Sequence, residues 1–251
     1  MEDFTMKKLV STMVFCAFLS LVLTATLAMA ADPTVIVYLP MNDGSGDTVK
    51  DLSPNKLDGK IVGKDFKWVD AKNGKGLEFV SGTEIQVVDN KLLDAMKALT
   101  IELWVKQDTH QSTGLIQKGA TWPGLSYLLQ PWSDQQIYFG VNDTSSRAIA
   151  PAGSYTLKTW YHLAAVFTGS DLLVYINGVE KNKAKAPVNQ VPDTKDPLEI
   201  GRAITGAVDD FIMYSRALTL AEINKDMGGV TTAINNSGSL TTTWGSLKEN
   251  R

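Results

Sequence analysis

The chain has 251 residues, a formal net charge of −3 and a single cysteine, Cys16. Its basic residues are scattered rather than striped, which argues against a nucleic-acid surface. With no other thiol, disulfide scaffolding and cysteine nucleophiles are excluded for everything after Cys16. The segment from Leu9 to Leu27 is almost unbroken in apolar and small residues. It follows Lys7 and Lys8 and stops at Ala28-Met29-Ala30, a small-x-small cleavage pattern. Residues 1–30 are therefore expected to be a signal peptide, with Ala31 as the mature start and no membrane span after cleavage. The mature chain is expected to be secreted, extracellular or periplasmic.

From Thr34 to about Tyr214, short apolar or alternating runs are broken by Gly, Asn, Asp, Pro and Ser roughly every ten residues, the rhythm of a sandwich or barrel. In chain order the expected strands are Val35–Tyr38, Leu57–Val62, Gly76–Val80, Glu84–Val88, Leu99–Lys106, Gly114–Lys118, Ser126–Gln130, Gln135–Val141, Trp160–Thr168, Leu172–Ile176, Glu180–Ala184, Leu198–Gly201 and Ala207–Tyr214. In Leu99–Lys106, residues Leu99, Ile101, Leu103 and Val105 share one face and are assigned to the core, with Thr100, Glu102, Trp104 and Lys106 opposite. Trp160–Phe167 is apolar on both faces, so it is expected to be central or covered twice. Asn177-Gly178 is a two-residue hairpin signal, because such turns need positive φ at both positions. Lys181, Lys183 and Lys185 alternate with Asn182 and Ala184 as on a guarded edge strand. Asn90 is placed to cap a turn through Met96. Thr219 with Glu222 forms a capping box for a short helix, Leu220 to Met227. Residues 31–228 are read as one domain, and the Thr/Ser/Asn-rich residues 229–251 as a flexible tail.

Several segments, taken in order, resemble the laminin G-like branch of the concanavalin A-like lectins and glucanases. They are Tyr38-Leu39-Pro40-Met41-Asn42-Asp43-Gly44-Ser45-Gly46 with Asp51-Leu52-Ser53-Pro54-Asn55, then Leu99–Lys106, Thr159–Ala164 and Leu173–Gly178. Leu198–Arg202 and Gly206–Leu218 with Glu222-Ile223 complete the set. The resemblance implies an all-β fold: a two-sheet antiparallel jelly-roll sandwich. It says little about activity.

The catalytic string of a related β-glucanase, Glu-x-Asp-x-x-Glu on one strand, is missing. In Glu84-Ile85-Gln86-Val87-Val88-Asp89 the two acids fall on opposite faces, and Glu102 is isolated. No Gly-x-Ser-x-Gly elbow occurs, and His110 and His162 are far apart, so no catalytic residue is assigned and zinc is disfavoured. His162 reads as a hydrogen-bonded core histidine. A structural calcium ion is expected at Asp43 and Asp209, with Asp51 as a weaker member. The reason is that Asp209 shares an alternation face with Phe211 and Met213, and a carboxylate beside a buried face needs a partner.

For ligand binding, Trp122, Trp132, Tyr138, Asn142 and Arg147 stand out, with Asp143 and Tyr155 nearby: indoles in Pro-containing turns, next to amide and guanidinium groups that bind hydroxyls. The expected function is a non-catalytic module recognising a glycan or an extracellular, cell-surface protein. A divergent polysaccharide hydrolase or lyase using dispersed residues such as Glu102, and a purely structural or adhesive module, are the alternatives.

Overall fold

A computed structural model describes residues 32–80, 82–110, 114–119, 125–142, 146–202 and 204–230. The expected signal segment and nearly all of the expected tail lie outside these residues. The strands, in chain order, are β1 (Val35–Leu39), β2 (Thr48–Val49), β3 (Gly59–Val62), β4 (Phe66–Asp70), β5 (Lys75–Phe79), β6 (Glu84–Val87), β7 (Leu99–Gln107) and β8 (Ile116–Lys118). They continue as β9 (Tyr127–Trp132), β10 (Gln136–Val141), β11 (Ala148–Ala150), β12 (Tyr161–Phe167), β13 (Asp171–Ile176), β14 (Val179–Lys185), β15 (Leu198–Ile200) and β16 (Gly206–Tyr214), followed by helix α1 (Leu220–Met227).

Two antiparallel sheets result. Sheet A runs β14-β13-β12-β7-β16-β5-β4, with β1 also paired to β16; sheet B runs β11-β10-β9-β8-β15-β6-β3-β2. Alternate residues from both sheets fill one core, including Leu39, Phe79, Ile101, Leu103, Leu129, Phe139, Leu163, Phe167, Phe211 and Met213. The two-residue repeat of each strand is what sends these side chains to one side.

The fold carries several sequence expectations through. Asn177 and Gly178 both take positive φ, 50° and 71°, and join β13 to β14. The Thr219 hydroxyl accepts from the Glu222 N–H while Glu222 accepts from the Thr219 N–H, so the capping box is closed. Asn90 caps a 3₁₀ turn at Lys91–Leu93 rather than a longer helix. β14 is an edge strand, and two of its lysines, Lys183 and Lys185, reach Asp171 on β13 at 3.7 and 2.8 Å.

Two expectations need correction. The core face assigned to β7 is not its one buried face: Thr100, Glu102 and Trp104 on the other side are buried as well. β7 lies mid-sheet, and further chain covers that outer side. The alternation assumed for β16 also fails. Val208 pairs with Val105 and Asp209 with Trp104, but the register then slips so that Ile212 pairs with Glu102 and Met213 with Ile101. A bulge at Asp209-Asp210, with Asp210 at φ 49°, inserts one residue. Asp209 therefore faces outward beside Trp104, not inward with Phe211 and Met213. The strands β2, β4 and β11 were not expected, being short or lacking clean alternation.

Candidate functional site

The β9–β10 hairpin builds the aromatic patch. Trp132 pairs with Gln136 and Gln130 with Tyr138, while Leu129, Ile137 and Phe139 take the inward positions. Gln130, Trp132, Gln136 and Tyr138 thus share the outer side of sheet B. Trp132 and Tyr138 are diagonal neighbours, within reach for aromatic side chains. Their rings stack at 5.2 Å with a 13° interplanar angle. The connecting turn is unusual, because Asp134 and Gln135 both have positive φ, 59° and 56°. Such backbone persists only when its surroundings hold it. Here Gly153 N–H donates to Asp134 O (2.6 Å) and Ser154 N–H to Gln135 O (3.2 Å). Arg147, just before β11, brings its guanidinium to 5.8 Å from the Tyr138 ring. All three side chains are half-buried, so the stack stands at the surface with its geometry fixed.

Asn142 does not join this patch. It lies at the end of β10, four residues or about 13 Å along the strand from Tyr138, where its N–H donates to Ser126 O at 2.9 Å. Trp122 and Asp143 lie outside the described residues. Tyr155 is buried against Tyr161, with ring centroids 4.6 Å apart, and is not available to a ligand. Toward the middle of the same face, Gln117, Leu128 and Gln130 are buried, which bounds the patch on that side.

Beyond them, Glu199 on β15 pairs in register with Gln86 on β6. Arg202 reaches Glu199 at 3.0 Å, and burial followed by the nearby Glu84 holds the Glu199 carboxyl above the usual range. The Glu199–Arg202 pair is local, but Gln86 and Glu84 join it from β6 through a register that neither strand's sequence writes. A separate cleft of about 520 Å³, lined by Lys64, Asp65, Phe66, Lys67, Glu78 and Val80, opens at the β4–β5 edge of sheet A. It belongs to the sheet opposite Trp132, and its lysines are offset by Asp65 and Glu78.

The three acids expected to hold calcium have different roles. Asp51 is consumed: it accepts from the N–H groups of Tyr38, Ser53 and Leu57 and from the Ser53 hydroxyl, at 2.7–2.9 Å. Asp43 is exposed and accepts from Lys50 N–H at 3.2 Å. Asp209 is fully buried; its Oδ2 accepts from Asn73 N–H at 2.8 Å, while Oδ1 has no hydrogen-bond partner. β1, which leads into the turn of Asp43, pairs with β16, which carries Asp209. Among the described residues, no three His, Cys, Asp or Glu side chains gather as a metal site. Burial, then the neighbouring Asp210 carboxylate, pushes Asp209 up to about 8.

Asp209 belongs to a buried polar layer on the outer side of sheet A. Glu102 is fully buried, its Oε2 is 3.2 Å from His162 Nε2, and neither carboxylate oxygen accepts a hydrogen bond. Burial first, then Asp226 and Glu222 of α1, raise Glu102 well above its ordinary value. His162 packs edge-on against Trp104 at 5.3 Å, its Nδ1 is unpartnered, and burial pushes it down to about 4. Its backbone N–H donates to the Asn177 side chain at 2.9 Å. His162 is the buried histidine that the sequence suggests, without the side-chain hydrogen bond expected of it. Nearby, Tyr38 donates to Asp210 (3.3 Å) and Tyr214 to Asp226 (2.6 Å). Glu102 is sealed from any substrate.

A family model of the concanavalin A-like lectin/glucanases superfamily, laminin G type, matches residues 80–224, more than half of the chain. The chain belongs to that family. No curated protein sequence matches it. Among solved structures, domain 4 of AbnA, a GH43 extracellular arabinanase from Geobacillus stearothermophilus in complex with arabinotriose, is similar at a TM-score of 0.62 and 19% identity, covering 76% of this chain and 97% of that one. The receptor binding domain of botulinum neurotoxin D is similar at 0.59 and 16%, covering 78% and 52%. Trypanosoma rangeli sialidase is similar at 0.57 and 17%, covering 78% and 33%. The chain thus spans about half of the toxin domain and a third of the sialidase. At these identities the likeness concerns the fold. No helix among the described residues is long and apolar enough to cross a membrane.

Proposed function

We propose that the mature chain is an exported, non-catalytic module that binds a glycan on the outer face of sheet B. The observation that carries this reading is the Trp132–Tyr138 stack, with Arg147 beside it, held at the surface by a strained and hydrogen-bonded turn. Stacking uses one face of each ring. The other face of the indole offers an apolar plane to the C–H side of a sugar, and Arg147 and Gln136 supply hydrogen-bonding groups beside it. A side chain already fixed loses little rotamer freedom when a ligand arrives. The arabinotriose complex of the similar arabinanase domain supports a sugar as ligand class.

Calorimetry or a glycan array tests this. Trp132→Ala is expected to lower affinity by about tenfold or more, a loss of at least about 1.4 kcal/mol, with little change in melting temperature. A bound glycan insensitive to Trp132→Ala, or silence across the array, overturns it. In the latter case the surface-protein reading takes precedence, and pull-down of a cell-surface protein tests it. The non-catalytic part rests on Glu102 being sealed, and a reducing-sugar assay on mixed polysaccharides checks it. Export is tested by N-terminal sequencing of protein recovered outside the cytoplasm, expected to begin at Ala31. A structural calcium ion is retained in the reading through Asp209 and Asp43. The open Oδ1 of Asp209 supports it, and the commitment of Asp51 to four donors leaves that residue out. EDTA should lower the melting temperature and calcium restore it.

A further inference from the structure

Lys118, the last residue of β8, has no exposed surface. Its Nζ lies 2.7 Å from Asp89 Oδ1, 3.2 Å from Asp94 Oδ1, 2.9 Å from both Thr194 O and Asp196 O, and 3.4 Å from Thr194 Oγ1. These oxygens come from three other parts of the chain: the end of β6, the 3₁₀ turn after it, and the segment leading into β15. An ammonium has three N–H donors, fewer than the five oxygens around it. A sixth oxygen, Asp94 Oδ2, is buried with no hydrogen-bond partner. Two carboxylates, two main-chain carbonyls and a hydroxyl form the donor set of a hard divalent cation, which takes six to eight oxygens. Charge points the same way. Two aspartates surround one ammonium, and Lys195, 4.0 Å from Asp89, has its side chain largely in solvent.

We propose that this rim is a divalent-cation cage in which the Lys118 ammonium stands in for the metal, so that the protein acquires a calcium site when the ammonium is removed. The native chain closes this end of the sandwich with a cation that is covalently its own. Any calcium response of the native protein therefore arises elsewhere. Oxygen distances of 2.7–3.4 Å around nitrogen must contract to about 2.3–2.6 Å around calcium, a shift of a few tenths of an ångström for most of them.

The test compares Lys118→Ala, Lys118→Met and Lys118→Ala combined with Asp94→Asn, each melted and refolded in EDTA or in millimolar calcium chloride. Unaltered protein sets the baseline for any other calcium site. Lys118→Ala should be destabilised in EDTA. Calcium at about 100 times its dissociation constant should raise the folded-to-unfolded ratio of this variant about 100-fold beyond the baseline. The gain should vanish with Asp94→Asn, and in Lys118→Met, whose side chain fills the cage. Magnesium, which demands tighter octahedral geometry, should do less. Equal refolding yields of Lys118→Ala in the two buffers, whether high or nil, overturn the proposal. A calcium gain that survives Asp94→Asn overturns it too.

Discussion

Two clusters bury ionisable side chains in this sandwich, and they are resolved in opposite ways. At the sheet B rim, the Lys118 ammonium is surrounded by oxygens and pairs with both Asp89 and Asp94, although Asp94 Oδ2 has no hydrogen-bond partner. In the layer outside sheet A, Glu102 and Asp209 carry carboxylate oxygens without hydrogen-bond partners, and His162 has an unpartnered ring nitrogen. A buried charge is tolerated either by pairing or by not being a charge. The rim relies on pairing, where Lys118 opposes the burial that raises Asp94, while in the layer burial raises Glu102 and Asp209 and lowers His162 with little to oppose it. Burial alone thus says little about whether an ionic residue supports the fold.

The largest expected effect separates the two clusters directly. Lys118→Met leaves two aspartates without their ammonium and should cost about 3–5 kcal/mol. Glu102→Gln replaces a carboxyl whose protonated form is favoured by burial with an amide of its own shape and should stay within about 1 kcal/mol. Chemical denaturation of both variants measures this, and similar losses would break the comparison.

A pH titration sharpens it. His162 is neutral when folded down to about pH 4, whereas the unfolded side chain protonates near 6.5. A depressed histidine pKa contributes stability that is full above 6.5 and is lost as pH falls toward 4. The slope is up to about 1.4 kcal/mol per pH unit. His162→Gln removes that slope, so the difference between unaltered and variant protein should change across this window and stay flat above pH 7 or so. A constant difference would place the proton elsewhere. A smaller effect is expected at Gly178, whose φ of 71° disfavours any side chain. Gly178→Ala should cost about 1 kcal/mol, read from the melting temperature.

Much of the fold was legible because each strand writes its own alternation. The runs at Leu99, Trp160 and Ala207, the Asn177-Gly178 turn and the Thr219 capping box all specify local structure within a few residues. What a strand does not write is its partner or its register. The bulge at Asp209-Asp210 leaves no mark in Ala207–Tyr214, so alternation sent Asp209 to the wrong face. Lys118 looked like a polar strand end, since its partners sit about thirty residues before it and nearly eighty after it. Trp132, Tyr138 and Arg147 were recognisable as ligand-binding types; the hairpin register joins the two rings, and the approach to β11 brings Arg147 to them. Asn142 has the right chemistry four residues too far along the same strand.

The start of the folded domain is fastened to the link between β16 and α1. Arg216 donates to Asp32 at 2.9 Å and to Glu222 at 2.8 Å, and the Ser215 N–H donates to Thr34 O at 2.8 Å. The chain enters the domain at β1 and leaves it from the end of α1, where Asn224 and Met227 lie against Gly178 of the β13–β14 turn, so both ends belong to sheet A while the ring stack belongs to sheet B. Whichever end serves as the tether, to a surface, a resin or a fusion partner, the Trp132 face is presented the same way.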